Sequence, residues 1–261
     1  MRLLRSFAVA LSMFSKIPVP GFTWKEEDMS HALSFFPVIG VIIGALIVVL
    51  NAIKPFSELH AAVRIILTLV IPMIISGGIH DDGFMDTEDA LHSYESAEKK
   101  LEILKDPHTG AFAVISLIKW MLIRAAAISA VILCPLSDTK VFMILGLIFV
   151  VSRCLSGLTS VLFVKAKKEG MLYSFTKDNE KATVMILAAE LAAALFFMMY
   201  LNLICGIILI MVFAGFTGYY RYKTYKEFGG VTGDTAGWFL MICEILSTFA
   251  LAVMLCLLSV F

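Results

Sequence analysis

The chain has 261 residues, of which 60% are hydrophobic and only 16% charged, and its mean hydropathy is +0.91. Soluble domains are nearer half apolar and about a quarter charged. The composition therefore excludes an ordinary soluble fold, and the long continuous apolar runs exclude a membrane β-barrel, whose spans are short and alternating. The 21 basic and 21 acidic side chains cancel, and no basic cluster is interleaved with aromatics, so nothing points to a nucleic-acid partner.

These runs predict an all-α, polytopic membrane protein, read as one domain over residues 1–261 with about seven spans and an N-terminal interfacial helix. Arg2 and Arg5 precede the first apolar stretch as in a signal peptide, but no small-x-small cleavage site follows and Lys16-Ile17-Pro18 interrupts it. Leu3, Leu4, Phe7, Leu11 and Phe14 share one helical face, which suits a helix lying in the membrane interface. Membrane helices are predicted at roughly 31–53, 60–76, 109–133, 140–164, 182–201, 203–220 and 235–261. The second is short, and the turn at Leu201-Asn202 is tight enough that the helices beside it could be merged or re-entrant. The five cysteines (Cys134, Cys154, Cys205, Cys243, Cys256) sit in apolar stretches without CxxC pairs and read as packed small hydrophobes. No internal repeat or long linker stands out.

The basic loop residues sort to one side. Arg2, Arg5, Lys16, Lys25, Lys99, Lys100, Lys105, Lys165, Lys167, Lys168, Lys177, Lys181, Arg221, Lys223 and Lys226 share it, against Lys54 and Lys140 on the other. The positive-inside rule places the rich side in the cytoplasm and the C-terminus outside.

On that cytoplasmic side, directly after the second span, runs Gly77-Gly78-Ile79-His80-Asp81-Asp82-Gly83-Phe84-Met85-Asp86-Thr87-Glu88-Asp89. Asp82, Asp86 and Asp89 recur at i, i+4 and i+7 and fall on one helical face. Carboxylates crowded in this way suit a hard cation such as Mg²⁺, which commonly brings a phosphate with it. Asp81 points to another face. Gly83 is read as leaving room for a ligand beside Asp82. His80 has two readings, a general base or substrate hydrogen-bonder, and a residue that orients an aspartate. A second acidic loop, Lys105-Asp106-Pro107-His108-Thr109-Gly110, offers Asp106 to a metal and Lys105 to a phosphate, or else caps the next helix. A third segment, Gly229-Gly230-Val231-Thr232-Gly233-Asp234, combines glycine amides suited to an anion with Asp234, either a helix cap or a cation ligand. Lys119, Arg124, Arg153, Glu190 and Glu244 lie inside spans. Charges there are costly and pair with one another or line an interior. Arg153 is read as a phosphate clamp, the alternative being a structural pair with Glu190 or Glu244.

Together these motifs resemble the cobalamin synthase family, the adenosylcobinamide-GDP ribazoletransferases. The resemblance includes Lys16-Ile17-Pro18-Val19-Pro20, the stretch from Phe36-Pro37 to Gly44-Ala45, and the GGxHxDGxxDTxD pattern from Gly77 to Asp89. It continues through Leu101 to Asp106 with Gly110, Ser152-Arg153, and Gly229 to Asp234 with Gly237 and Glu244. Asp81 stands where the family often has an apolar residue, Ala90 where a glycine is common, and Lys167 in place of an arginine, keeping the charge and losing the fork. The resemblance implies that adenosylcobinamide-GDP is joined to α-ribazole or its 5′-phosphate, with Mg²⁺, giving adenosylcobalamin or its phosphate and GMP. A ribose hydroxyl attacks the corrinoid-side phosphorus. On this reading Asp82, Asp86, Asp89, Asp106 and Asp234 are metal candidates. Asp82, Asp89 and His80 are candidates for moving the proton, and Arg153, Lys105, Gly230, Thr232 and Gly233 for holding phosphate or guanosine oxygens. It also implies a prokaryotic cytoplasmic membrane, contact with membrane lipid, a place beside other corrinoid enzymes and possible homo-oligomers, for which Gly40-x3-Gly44 permits close helix contact. Competing readings are another Mg²⁺-dependent membrane transferase using a nucleotide-activated alcohol or a prenyl diphosphate, an ion transporter, or a scaffold for neighbouring enzymes.

Overall fold

A computed structural model of the chain describes residues 2–21, 25–29, 31–167, 172 and 180–260. Hydrocarbon offers no partner to a backbone N–H or C=O, so apolar runs of this length close their hydrogen bonds internally as helices. The described elements are α1 (Arg2–Phe14), α2 (Glu26–Met29), a 3₁₀ turn (Ala32–Phe35) leading into α3 (Phe36–Ala52), α4 (Ala61–Ser76), α5 (Ile79–His92), α6 (Ala97–Ile103), α7 (Ala111–Leu133), α8 (Thr139–Leu162), α9 (Glu180–Leu201), α10 (Leu203–Phe228) and α11 (Gly233–Val260). Among the described residues six helices are long and apolar enough to cross a membrane, with α4 and α5 forming a further pair bent by 91°. The chain is a multi-pass membrane protein. Of the basic residues placed on the rich side, Lys168 and Lys177 lie outside the described residues.

Two expectations about the spans are refined. The sixth helix, expected to stop near residue 220, continues to Phe228 and carries Arg221, Lys223 and Lys226 on its extra turns. The helices on either side of Leu201-Asn202 stay separate, because the Asn202 side chain accepts from the Cys205 amide at 3.0 Å and caps α10.

The centre of the bundle is α8 and α11, whose most apolar windows are 72% and 67% buried, whereas α9 is 17% buried and faces the lipid. A Cβ on Gly44 would stand 2.7 Å from the Gly146 carbonyl oxygen, and Gly40 lies against the Phe149 carbonyl. The Gly40-x3-Gly44 stripe thus serves the crossing of α3 with α8 inside one chain. The second half of α1 docks on the protein, with Phe7 5.5 Å from Phe35 and Phe14 4.7 Å from Phe36 between ring centroids. Leu3 and Leu4 remain exposed at its start, the apolar face expected of an interfacial helix.

The corner between α4 and α5 positions the acids. Gly77 and Gly78 take φ of 67° and 80°, the left-handed region that side chains with a Cβ avoid. The chain there leaves the span and turns α5 across the bundle. One end of α5 meets the first turn of α7 through Asp89. The other lies beside Arg124 of α7, roughly 20 Å further along that helix. α5 therefore slants inward between α7 and α11 and is not itself a span.

Candidate active site

The floor of the site is the crossing of α5 with the start of α11. A Cβ on Gly83 would lie 2.9 Å from both the Asp234 Cα and carbonyl oxygen, and one on Gly237 would lie 2.9 Å from the His80 carbonyl oxygen. The sequence suggested that Gly83 leaves room for a ligand. The structure corrects this: the space is filled by the backbone of Asp234. Close helix approach is the reason for both glycines, and it brings Asp234 to Asp82 and Asp86.

A second lock holds the crossing. Trp238 Nε1 donates to Glu88 Oε1 at 2.7 Å, and both residues are buried. Glu88 was not singled out in the sequence, where it reads as one more acid in a charged run. Its distinguishing signal is its place in α5, six residues after Asp82 and on the side facing α11.

The acids then divide. Burial, followed by the like charges of Asp82, Asp234 and Asp89, pushes the Asp86 carboxyl from its ordinary 3.8 up to about 6. Asp82 and Asp234 line one cavity. Asp89 stands close enough to act on Asp86, but both its oxygens accept backbone N–H groups at the start of α7, from Gly110 and, at 2.9 Å, from Ala113. Asp89 caps α7, so its lone pairs are largely committed. Asp106 is a clearer departure from the metal assignment: it is exposed and accepts from the His108 amide at 3.0 Å, with His108 Nδ1 at 2.6 Å. It stabilises the turn before α7.

The glycine segment also takes a different role. The Gly229 amide donates to Tyr225 O, Gly230 to Thr224 O, and Val231 to Val164 O, the last at 2.8 Å. Thr232 and Thr235 cap each other, N–H to hydroxyl, at 2.8 and 3.2 Å. Gly230 is buried and has no room for a ligand beside it. These groups end α10 and start α11 rather than cradling an anion, and Gly229 and Gly233 are the exposed members of the segment. Thr232 contributes indirectly, its hydroxyl lying 3.5 Å from Asp234 Oδ2.

Arg153 is likewise not a phosphate clamp in this structure. It is 1% exposed, and its Nη1 donates to Glu244 Oε1 at 2.8 Å and to Phe149 O at 2.9 Å. Arg124 reaches the other Glu244 oxygen at 3.2 Å, and Ser152 adds a bond at 3.1 Å. The alternative role, a structural Arg–Glu pair, is the one adopted, with Glu244 and not Glu190 as partner. Arg153 Nε is left without a hydrogen-bond partner, while the network pairs the buried charges. It lies beneath α5, where His80 and Asp81 border a water-sized space of about 20 Å³ shared with Arg124, Arg153 and Glu244.

His80 sits between that network and the acids. Its ring centroid is 5.6 Å from that of Phe36, and its Nε2 is buried without a hydrogen-bond partner. Burial, then the nearby Arg153 charge, holds its pKa near 3, so the imidazole is neutral. Asp81 turns away from Asp82, as its helical position implies, and burial raises its carboxyl despite the Arg124 charge.

A basic rim faces the acids. The segment after α8 pairs with Val231 through Ala166 N to Val231 O at 3.0 Å, which sets Lys167 near Asp234. Burial and then Lys105 lower the Lys167 ammonium, while Asp234 raises it. Lys167 is thus a neighbour of Asp234 and of Lys105. Lys168, Glu169 and Gly170, the rest of the segment noted in the sequence, lie outside the described residues.

Asp82, Asp86 and Asp234 carry the kind of hard oxygen donors that Mg²⁺ prefers. The Asp86 carboxyl is raised first by burial and then by the neighbouring like charges, and a divalent ion would relieve the second of these. Among the described residues no three His, Cys, Asp or Glu side chains stand in a ready-made ligand set.

The sequence profile for cobalamin-5-phosphate synthase matches residues 6–252. The chain belongs to that family. Curated relatives extend over nearly its whole length. A protein of Lachnoclostridium phytofermentans named adenosylcobinamide-GDP ribazoletransferase is 39% identical over 256 residues, covering 97% of this chain and 95% of the relative. One of the same name from Clostridium botulinum is 33% identical over 249 residues, covering 95% and 97%. Another, from Clostridium perfringens, is 34% identical over 247 residues, covering 92% and 94%. No solved structure matches significantly.

Proposed function

We propose that this member of the cobalamin-5-phosphate synthase family is an adenosylcobinamide-GDP ribazoletransferase working at the cytoplasmic face of a prokaryotic membrane. The family match over residues 6–252 supports the activity. The orientation follows from the basic residues clustered at the acid end of the bundle. The observation that carries the site assignment is the meeting of Asp82 and Asp86 of α5 with Asp234 of α11, where burial and then like charge lift the Asp86 carboxyl to about 6.

In the reaction, a ribose hydroxyl of α-ribazole, or of its 5′-phosphate, forms a P–O bond to the phosphorus bearing the corrinoid side chain. The P–O bond to the GMP phosphate breaks, and the hydroxyl proton passes to a base. Asp82, Asp86 and Asp234 would hold Mg²⁺, which would supply neutralisation of the diphosphate charge. The chain itself positions and solvates, as phosphoryl transfer chiefly requires. Lys167 and Lys105 hold the leaving phosphate as point charges. A carboxylate of the cluster, once the ribose hydroxyl is placed beside it, accepts the proton. Neutral His80 orients substrate and does not act as a cation. Asp89 and Glu88 fix α5 between α7 and α11, so the acids keep their spacing. Asp82→Asn is expected to insert and purify normally while GMP release from adenosylcobinamide-GDP and α-ribazole falls by more than about 100-fold, the scale of one lost charge-stabilising group. Full turnover in that variant would remove Asp82 from the site.

A further inference from the structure

Next to the acids lies a cavity of about 270 Å³ whose walls are mainly apolar. Phe14 of α1, Leu33, Phe36 of α3 and Leu240 of α11 supply the apolar walls, Ser156 and Ser160 of α8 bring hydroxyls, and Asp82 and Asp234 stand at its acidic side. Leu33, Phe36, Ser156, Ser160 and Leu240 are all nearly inaccessible from outside. The space is thus an apolar slot that ends at the reacting groups, the usual form of a small-molecule subsite.

We infer that this cavity is the subsite for the aromatic base of the ribazole nucleoside, and that its walls select which bases are accepted. This rests on the transferase reading above. Three observations narrow the occupant. A cavity near 150 Å³ already takes benzene, so about 270 Å³ accommodates a fused bicyclic ring with methyl groups but not a corrin macrocycle. Guanine carries several donors and acceptors along one edge, and burying them against leucine and phenylalanine would leave most unpaired at a cost of a few kcal/mol. Dimethylbenzimidazole, joined to ribose through one ring nitrogen, keeps a single acceptor nitrogen, which one wall hydroxyl, or the unpartnered Nε2 of His80 in its protonated tautomer, satisfies. With the base in the slot, the ribose emerges at Asp82 and Asp234, where its hydroxyl must be to attack. The guanosine and corrinoid parts of the other substrate then remain on the open side, with Lys105 and Lys167.

The test uses the full chain in liposomes, with GMP release as the readout. Free dimethylbenzimidazole is expected to inhibit the unmodified protein competitively against α-ribazole and not against adenosylcobinamide-GDP. Ser160→Leu, which fills the slot, is expected to raise KM for α-ribazole at least about tenfold while KM for adenosylcobinamide-GDP stays within about twofold. An imidazole riboside, lacking the fused ring, should be less affected by the same change. Inhibition competitive with adenosylcobinamide-GDP, or a Ser160→Leu penalty falling on that substrate, would overturn the assignment. If Ser160→Leu does not accumulate, the inhibition pattern of the unmodified protein decides alone. An unmodified protein that releases no GMP sinks the transferase reading, whereas an active one indifferent to the free base sinks only the subsite.

Discussion

Gly83→Ala tests the claim that a helix crossing sets the spacing of the acids. The added Cβ would meet the Asp234 Cα and carbonyl oxygen at 2.9 Å and its carbonyl carbon at 3.3 Å. Carbon contacts relax to about 3.5–4.0 Å, so α5 and α11 must part by roughly 0.6–1 Å at the point where Asp82 and Asp234 face each other. Both neighbouring atoms are backbone, and no flexible side chain can yield instead. Stability should change little: alanine gains about 1 kcal/mol over glycine in a helix interior, and overpacking costs about 1–3 kcal/mol. Catalysis should change more, because a shift of about 1 Å in a positioned group can cost on the order of 100-fold in rate, or about 2.7 kcal/mol of barrier. The assay is GMP release at saturating substrates, with Mg²⁺ titrated and the thermal midpoint measured on the same preparation. The expected result is a near-normal midpoint, a large loss of kcat and a higher Mg²⁺ requirement. Full kcat with an unaltered Mg²⁺ requirement would refute the reasoning, since the acids would then tolerate a spacing the crossing does not permit.

The remaining predictions concern the groups around that crossing. An Asp86 carboxyl raised from 3.8 to about 6 makes the ionised form unfavourable in the metal-free fold. The shift of ~2 units corresponds to ~3 kcal/mol, and screening of this partly exposed group leaves about 1 kcal/mol. That cost is fully present above pH 6 and fades as the pH falls from 6 toward 4. Asp86→Asn should therefore stabilise the metal-free protein at pH 7.5 and flatten this part of its stability profile while abolishing turnover, and thermal melts from about pH 4 to 8 would show it. Glu244→Ala leaves Arg124 and Arg153 buried without their shared carboxylate and should cost about 3–5 kcal/mol, seen as loss of folded protein after detergent extraction. Trp238→Phe removes the 2.7 Å bond to Glu88 and should cost about 1.5–3 kcal/mol in the same melts. An unchanged midpoint would mean that the Glu88 carboxylate finds another donor.

Parts of this molecule could be read one residue at a time, and others could not. The spans were legible because hydrocarbon imposes a single local rule, apolar length closed by helical hydrogen bonds, and each of the seven expected apolar segments is helical here. The bend after the second was legible from Gly77-Gly78, since two adjacent glycines are a local conformational signal. The face shared by Asp82 and Asp86 was legible from helical period alone. Asp89 shares that face by sequence, yet its oxygens go to amides 21 and 24 residues away, a partnership that no periodicity encodes. Gly229 to Thr232 looked like an anion cradle because glycine next to a helix start exposes amides, and those amides were spent on α10, the segment after α8 and Thr235.

The sequence by itself determined the membrane class, the helices, the family and the identity of the acidic face, because each depends on composition, period or a contiguous motif. Only the tertiary structure decided that Asp234 joins Asp82 and Asp86, that Asp89 and Arg153 hold the scaffold, and that an apolar slot ends beside the acids. The physical reason is that a carboxylate or guanidinium takes its role from whichever partner desolvation and packing bring within reach, and here those partners come from helices more than a hundred residues apart.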